Sequence, residues 1–295
     1  MKKMLLVVNP CAGVRKINKS MVDVLAIFNR GGYDVHTYIT AGPADAKEFV
    51  RQQCQDMDLV VCAGGDGTFN ETLAGVMESG CSVPLGYIPC GSTNDFAASL
   101  KLPANVLDAA KEIVEGTAEY YDVGKFGDRF FSYVASFGIF TKTSYSTPQN
   151  VKNALGHTAY ILEGIQELSQ FKTEHVRFEL EDQVIEDDFL FGAVSNSLSV
   201  GGILTLDPTQ VDMKDGKFEL LLVRAPKNLW EVQEFLQALQ KQAYNCAMMT
   251  FVSAKKMKVI ASPEMNWTLD GERQDGCAEI CIENLPQAYQ LVKRG

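Results

Sequence analysis

Residues 59–73, LVVCAGGDGTFNETL, constrain the fold more than any other stretch of the chain. They read as a strand, a glycine turn and a helix. Val60, Val61, Cys62 and Ala63 form the short apolar run of a strand buried on both faces. Gly64, Gly65 and Gly67 let the backbone take left-handed angles and come close to a ligand. Thr68 with Glu71 three residues later is a capping-box pattern, which predicts a helix start there. A helix start leaves N–H groups without intrahelical partners, and these favour phosphate oxygens. Asp66 sits inside that cradle. A carboxylate beside phosphates repels them unless a cation lies between, so the loop suggests a nucleotide site with Mg²⁺ close by. It is not a Walker A loop, because no Gly-Lys-Ser/Thr follows. Asn70 stands where a dinucleotide G-x-G-x-x-G turn has its last glycine.

A chain of 295 residues suits one large or two ordinary domains. Hydrophobic residues at 46% and charged residues at 22% allow a sizeable core in a soluble protein. A net charge of −10 argues against nucleic-acid binding and against broad adsorption to anionic membranes. The eight cysteines contain no C-x-x-C pair, and no histidine or further cysteine stands near Cys277 and Cys281 to complete a zinc site. Reduced thiols in a cytoplasmic protein are expected. Residues 4–8 are too short an apolar run for a signal peptide or a membrane span.

In the first half, strands are predicted at 4–8, 33–40, about 59–63 and 84–88. Helices are predicted near 18–30, 44–55, from the glycine loop to Gly80, through about Leu100, and at 105–115. Alternating strands and helices imply βαβ units and a parallel sheet, with ligands gathered beyond the carboxyl ends of the strands. Asn9, Thr40, the glycine loop and Thr93 all fall at those ends. After about Glu119 strand-like runs follow one another at 120–126, 129–137, 175–180, 184–194, 217–223, 250–261, 266–269 and 278–282. That half reads as an antiparallel sandwich or barrel, interrupted by helices near 151–171 and 227–242.

Five blocks in order carry a resemblance to a known family. They are Asn9-Pro10-Cys11-Ala12-Gly13, the loop from Gly64 to Asn70, Gly91-Ser92-Thr93-Asn94-Asp95-Phe96-Ala97, Tyr121-Asp122-Val123-Gly124 and Asp270-Gly271-Glu272. Between the last two lie Gly201-Gly202-Ile203-Leu204, Pro208 and Asp215-Gly216. The chain resembles the bacterial soluble diacylglycerol kinase family, a branch of the lipid kinases, over nearly its whole length. NAD kinases share the glycine loop, but the Asp-Gly-Glu block and the block order favour lipid kinases. The resemblance implies an α/β Rossmann-like nucleotide-binding domain at 1–122 and 286–295. It also implies an antiparallel β-sandwich lipid-substrate domain at 123–285, with residues 288–293 returning to the first domain.

Roles follow from the resemblance residue by residue. ATP would lie on Gly64, Gly65, Asp66, Gly67, Thr68, Phe69 and Asn70, with Asn9, Thr40 and Thr93 at neighbouring strand ends. Glu272, by itself an exposed turn glutamate, would be the general base for the substrate hydroxyl. Asp122, by itself a hinge residue, would join Asp66 in the acidic network of the catalytic centre. Asp212 and Asp215, by themselves a solvated turn, would hold a structural Mg²⁺ together with Lys217, which can serve only through its carbonyl. His36, His157 and His175 fall in no constellation.

The expected activity is transfer of the γ-phosphate of ATP, with Mg²⁺, to the hydroxyl of a neutral lipid, with diacylglycerol giving phosphatidate. The lipid would enter between the domains, where Glu272 faces both. Membrane contact would be peripheral and transient during turnover, with Lys142, Lys152 and Lys172 around an insertion helix. The rivals are a kinase for a sphingoid base, another glycerolipid or NAD, and a non-catalytic nucleotide or lipid sensor. Oligomeric state stays open, a homodimer included.

Overall fold

The computed structural model describes residues 1–13, 16–92, 94–139, 172–197, 199–200, 204–205, 211–241 and 246–294. The chain divides into two compact units. One contains Met1–Val123, Arg129–Ser132 and Leu285–Gly295; the other contains Gly124–Asp128 and Tyr133–Asn284.

In the first unit, strands β1 (Lys2–Val8), β2 (Tyr33–Ile39), β3 (Leu59–Gly64) and β4 (Leu85–Pro89) pair in parallel in the order β2-β1-β3-β4. Leu291 of the final strand, Glu279–Lys293, adds to β4 opposite Leu85, also in parallel. Every residue of β3 is buried, as its unbroken apolar sequence requires of a strand covered on both faces. Burial of Val60 and Val61 contributes roughly 1.5–3 kcal/mol each relative to exposure. Met4, Leu6, Val8, Val61 and Ala63 share a core with helices α1 (Lys16–Arg30) and, later in the chain, Val106–Glu115. Ile17, Val24 and Phe28 recur at helical spacing on the inner stripe of α1, whereas Val22 is exposed.

Helices α2 (Asp45–Gln53), α3 (Asp66–Ser79), α4 (Asp95–Ser99) and α5 (Val106–Glu115) complete this unit. Asn105 caps α5, its Oδ1 accepting the Leu107 and Asp108 N–H groups. The capping box expected at Thr68 and Glu71 does not form. The helix starts two residues earlier, at Asp66, behind Gly65. Glu71 instead accepts the N–H groups of Ala44 and Ala46 at 2.7 and 3.2 Å, and so caps α2. Two helices packed side by side let one carboxylate serve its neighbour's orphan donors, which sequence spacing cannot reveal.

Strands β5 (Thr117–Phe126) and β6 (Arg129–Phe131) follow. The second unit is built from antiparallel strands. They are β7 (Val134–Gly138), β8 (Glu174–Glu179), β9 (Val184–Ser195), β10 (Ser199–Val200), β11 (Leu204–Thr205) and β12 (Phe218–Arg224), then β13 (Met249–Ala254), β14 (Lys256–Ala261), β15 (Trp267–Leu269), β16 (Glu272–Gln274) and the first part of β17 (Glu279–Lys293). The order is β16-β15-β7-β9-β8-β14-β17. A branch runs from β9 through β12 to β13, and β10 pairs only with β11. Two runs read as single strands are broken, 129–137 at Ser132-Tyr133 and 250–261 at Lys255. Trp267 centres the aromatic core, 5.0 Å from Phe137 and 5.1 Å from Phe126 between ring centroids. The predicted helix at 227–242 is α6 (Leu229–Gln240). Asn228 accepts the Glu231 N–H, Glu231 accepts the Lys227 N–H, and Arg224 grips Glu231 with both terminal nitrogens. That grip holds the Glu231 carboxyl down to about 2. The predicted helix at 151–171, with Lys152, and Lys142 before it lie outside the described residues; Lys172 pairs with Glu174 at 2.9 Å.

Candidate functional site

At the carboxyl ends of β1, β3 and β4 three loops converge within the first unit. Asn9, just past β1, donates its side-chain amide to Thr68 Oγ1 at 2.9 Å, and its N–H to Ala63 O at 2.9 Å. The Cys90 N–H reaches Gly64 O at 2.7 Å. A Cβ on Gly91 would stand 2.8 Å from the Gly65 Cα, and a Cβ on Gly13 would strike the Cys90 carbonyl oxygen. Gly64 is as tight, since its Cβ would lie 2.6 Å from Thr68 Cβ. Glycine is therefore required here by close backbone approach as much as by dihedral freedom.

The same loop feeds α3, and the N-cap residue, Gly65, has no side chain to cap that helix start. Its first N–H groups and the helix dipole therefore favour an anion in front of Gly65. Asp66 opens the helix. Its Oδ1 accepts the Tyr87 hydroxyl at 3.0 Å and its Oδ2 accepts the Asp95 N–H at 2.9 Å. Burial, then the Asp66 charge, pushes the Tyr87 hydroxyl well above its ordinary value, so Tyr87 remains a donor. Sequence reasoning missed Tyr87, whose strand context marks it only as apolar.

Within the loop, Phe69 is fully buried against Tyr87, Phe96 and Tyr289, with centroids 4.7, 5.3 and 6.5 Å away. Its side chain supports the cradle from behind, which leaves its backbone as the part able to meet a ligand. Asn70 is 5% exposed and Thr68 8%. Thr40 stands at the end of β2, its N–H on Val8 O at 2.9 Å, and the next N–H, of Ala41, is held by Asp45. Thr93 lies outside the described residues. Asp122 is buried on β5, its Oδ1 accepting the Gln287 N–H at 2.8 Å across 165 residues of sequence.

In the second unit Glu272 is exposed as the first residue of β16. It pairs with Leu269 across a two-residue turn, Asp270 and Gly271, both with positive φ as a type I′ hairpin needs. Asp270 is anchored, its Oδ1 accepting the Tyr133 and Val134 N–H groups at 3.0 Å. The turn is thus pinned to β7 while Glu272 projects at its rim.

Asp212, Asp215 and Lys217 lie together on the turn into β12. Asp212 Oδ1 accepts the Lys214 N–H, Asp215 Oδ1 accepts the Lys217 N–H, and the Lys217 carbonyl accepts the Asn284 amide at 2.9 Å. No group of three or more His, Cys, Asp or Glu among the described residues is placed to hold a metal. Two residues that sequence reasoning missed stand here. Glu219 is 1% exposed and its Oε2 has no partner among the described residues; the same holds for Oδ1 of Asn284. Burial, then the charge of Asp215 and less that of Asp212, raises the Glu219 carboxyl to about 8, against the opposing effects of a hydrogen bond from its own backbone and of the Lys217 charge. Glu219 is a charge set in the buried apolar run Phe218–Val223 of β12, which was the available signal.

Models of known families match both halves of the chain. A model of the diacylglycerol kinase catalytic domain matches residues 3–126. A model of the YegS C-terminal NAD kinase beta sandwich-like domain matches residues 134–293. A diacylglycerol kinase of Bacillus subtilis (strain 168) is 31% identical over 92% of this chain and 90% of that one. A diacylglycerol kinase of Staphylococcus haemolyticus (strain JCSC1435) is 32% identical over 90% of this chain and 81% of its own length. The crystal structure of a diacylglycerol kinase from Bacillus anthracis str. Sterne superposes at a TM-score of 0.76 over 99% of this chain and 97% of that one, with 23% identity, and so shows the fold. With glycine loops, catalytic-domain match and sandwich-domain match all in one order along the sequence, this chain belongs to the diacylglycerol kinase family of lipid kinases.

Proposed function

We propose that the chain transfers the γ-phosphate of ATP to the free hydroxyl of diacylglycerol, giving phosphatidate. The observation that carries this reading is the convergence of the Gly13, Gly64-Gly65 and Gly91 loops in front of the uncapped start of α3. Backbone N–H groups there would hold the phosphates, and Asn9, Thr40 and Thr93 would border the nucleotide. Asp66, fixed by Tyr87 and Asp95, would supply the carboxylate facing a phosphate-bound cation. Glu272 would accept the proton of the attacking hydroxyl, and Asp122 would help to position the reacting groups. Phosphoryl transfer depends chiefly on alignment and charge stabilisation, which a rigid glycine cradle serves.

The donor set suits Mg²⁺. Asp66 offers a hard oxygen ligand in the cradle, and the turn at Asp212, Asp215 and the Lys217 carbonyl offers more. There the unpartnered oxygens of Glu219 and Asn284 support a cation site of the second unit. When bound, Mg²⁺ would neutralise phosphate charge in the cradle and carboxylate charge in the turn.

Among the described residues no helix is long and apolar enough to cross a membrane. The proposed lipid contact is peripheral and transient, made by a cytoplasmic protein during turnover. The test is γ-phosphate transfer to diacylglycerol, a sphingoid base, other glycerolipids and NAD, each in mixed micelles. Preferred transfer to diacylglycerol is expected; preference for NAD would refute the lipid assignment, and no transfer to any acceptor would favour a sensor. Sedimentation with liposomes should leave most protein in the supernatant after a high-salt wash.

A further inference from the structure

The 3-10 turn Cys54–Asp56 follows α2, and Cys81 stands two residues past the end of α3. Their Sγ atoms are 2.8 Å apart, within about 0.8 Å of the ~2.05 Å sulfur–sulfur bond. Local hydrogen bonds hold them there. Ser79 Oγ lies 3.0 Å from Cys54 Sγ, accepts the Cys81 N–H at 3.1 Å and donates to Val76 O. Cys54 is fully buried and Cys81 half-buried, and an open groove lined by Met57, Asp58, Gly80 and Pro84 reaches both. No role in phosphoryl transfer calls for this pair.

We propose that Cys54 and Cys81 form a thiol–disulfide modification site, oxidised by a small soluble disulfide such as glutathione disulfide. Cys81, the more accessible thiol, attacks first. Its thiolate forms a mixed disulfide with one glutathione half, and the other half leaves as a thiolate and takes a proton. Cys54 then gives up its proton and attacks the Cys81 sulfur, closing the protein disulfide and expelling the second glutathione. Two protein S–H bonds are lost, and one glutathione disulfide becomes two glutathione thiols. The order follows from the surroundings, since burial and the adjoining Cys81 thiol push Cys54 up to about 11 and make it a poor first nucleophile. The closed covalent loop spans residues 54–81 and contains β3, the glycine loop and all of α3. Oxidation would thus brace the segment that carries the cradle, by restricting its unfolded chain.

The full-length protein is incubated with glutathione disulfide, trapped by alkylation, and mapped by mass spectrometry without reduction. The expected result is loss of the Cys54 and Cys81 thiols to one cross-linked peptide that joins them, distinct from glutathione adducts on the exposed Cys11 and Cys281. Melting temperature should rise by roughly 5–15 °C and return with dithiothreitol. In Cys54→Ala, Cys81 should stop at the glutathione adduct. In Cys81→Ser the buried Cys54 should remain a free thiol. Cys54 and Cys81 thiols surviving in the wild type, a cross-link between any other pair, or a persistent adduct on wild-type Cys81 would each overturn the proposal.

Discussion

Asp66 in the first unit and Glu219 in the second are both carboxylates beside a turn, and the fold treats them in opposite ways. Asp66 is supplied with donors, a tyrosine hydroxyl on one oxygen and a backbone N–H on the other. Glu219 is buried beside Asp212 and Asp215 and keeps one oxygen without a partner among the described residues. A carboxylate furnished with donors is a positioned group, ready for work on a ligand. One hemmed in by like charges must take a proton or a cation. Under the proposed function, the difference would separate a site shaped around a substrate from a site that completes a fold.

The sharpest way to break this contrast is to neutralise the first carboxylate. Asp66→Asn retains an acceptor for Tyr87 but loses the one for the Asp95 N–H, and should abolish measurable turnover at a stability cost of about 1–3 kcal/mol. Full activity in the folded variant would remove Asp66 from the chemistry. Next in size is Glu272→Gln, which keeps shape but cannot take a proton. Turnover should fall by roughly 10²–10⁴-fold with the Kd for ATP unchanged. A wild-type kcat would leave a kinase with its base elsewhere, Asp122 being the next candidate.

Glu219 sharpens the other side of the contrast through pH. Its folded carboxyl titrates near 8, whereas an unfolded glutamate titrates near ~4.3. Between those values the folded chain binds a proton that the unfolded chain does not. Stability from this group is complete below the unfolded value and is lost as pH rises through 8. Melting temperature in chelator should therefore decline from pH 5 to pH 9. Glu219→Gln should flatten that decline, and saturating Mg²⁺ should lessen it. A pH-independent wild type would show that the carboxyl ionises without cost.

Smaller effects test the scaffold. Gly91→Ala places a Cβ 2.6 Å from Asn94 Oδ1 and 2.8 Å from the Gly65 backbone, a clash expected to cost about 1–3 kcal/mol by denaturant melts and to weaken nucleotide binding. Glu71→Ala removes the cap of α2 and should cost about 1 kcal/mol while activity persists. A loss of activity as large as that of Asp66→Asn would instead place Glu71 in the site.

Legibility followed sequence distance. The parallel sheet, the glycine loop and the hairpin under Glu272 were readable because neighbouring residues specify each of them, through apolar runs, Gly-Gly-Asp-Gly and Asp-Gly. The Thr68–Glu71 pattern misled for the complementary reason, because the partner of Glu71 comes from α2, 25 and 27 residues back. Asn284 reaches Lys217 across 67 residues, and Asp122 reaches Gln287 across 165. No local pattern announces such pairs. Glu219 was visible as a charge in an apolar strand, but its orphaned oxygen exists only once the strand is packed.

The return of the chain to its first unit bears on how the protein is made. Tyr289, Leu291 and Val292 are buried residues of a unit whose other strands are complete by Phe131. Roughly 150 residues of synthesis separate the two contributions. At the ~5–20 residues per second of translation, the first unit waits about ten to thirty seconds on the ribosome for its missing strand. During that interval the β4 edge opposite Leu291 is open, a surface for chaperones to guard and for aggregation to exploit.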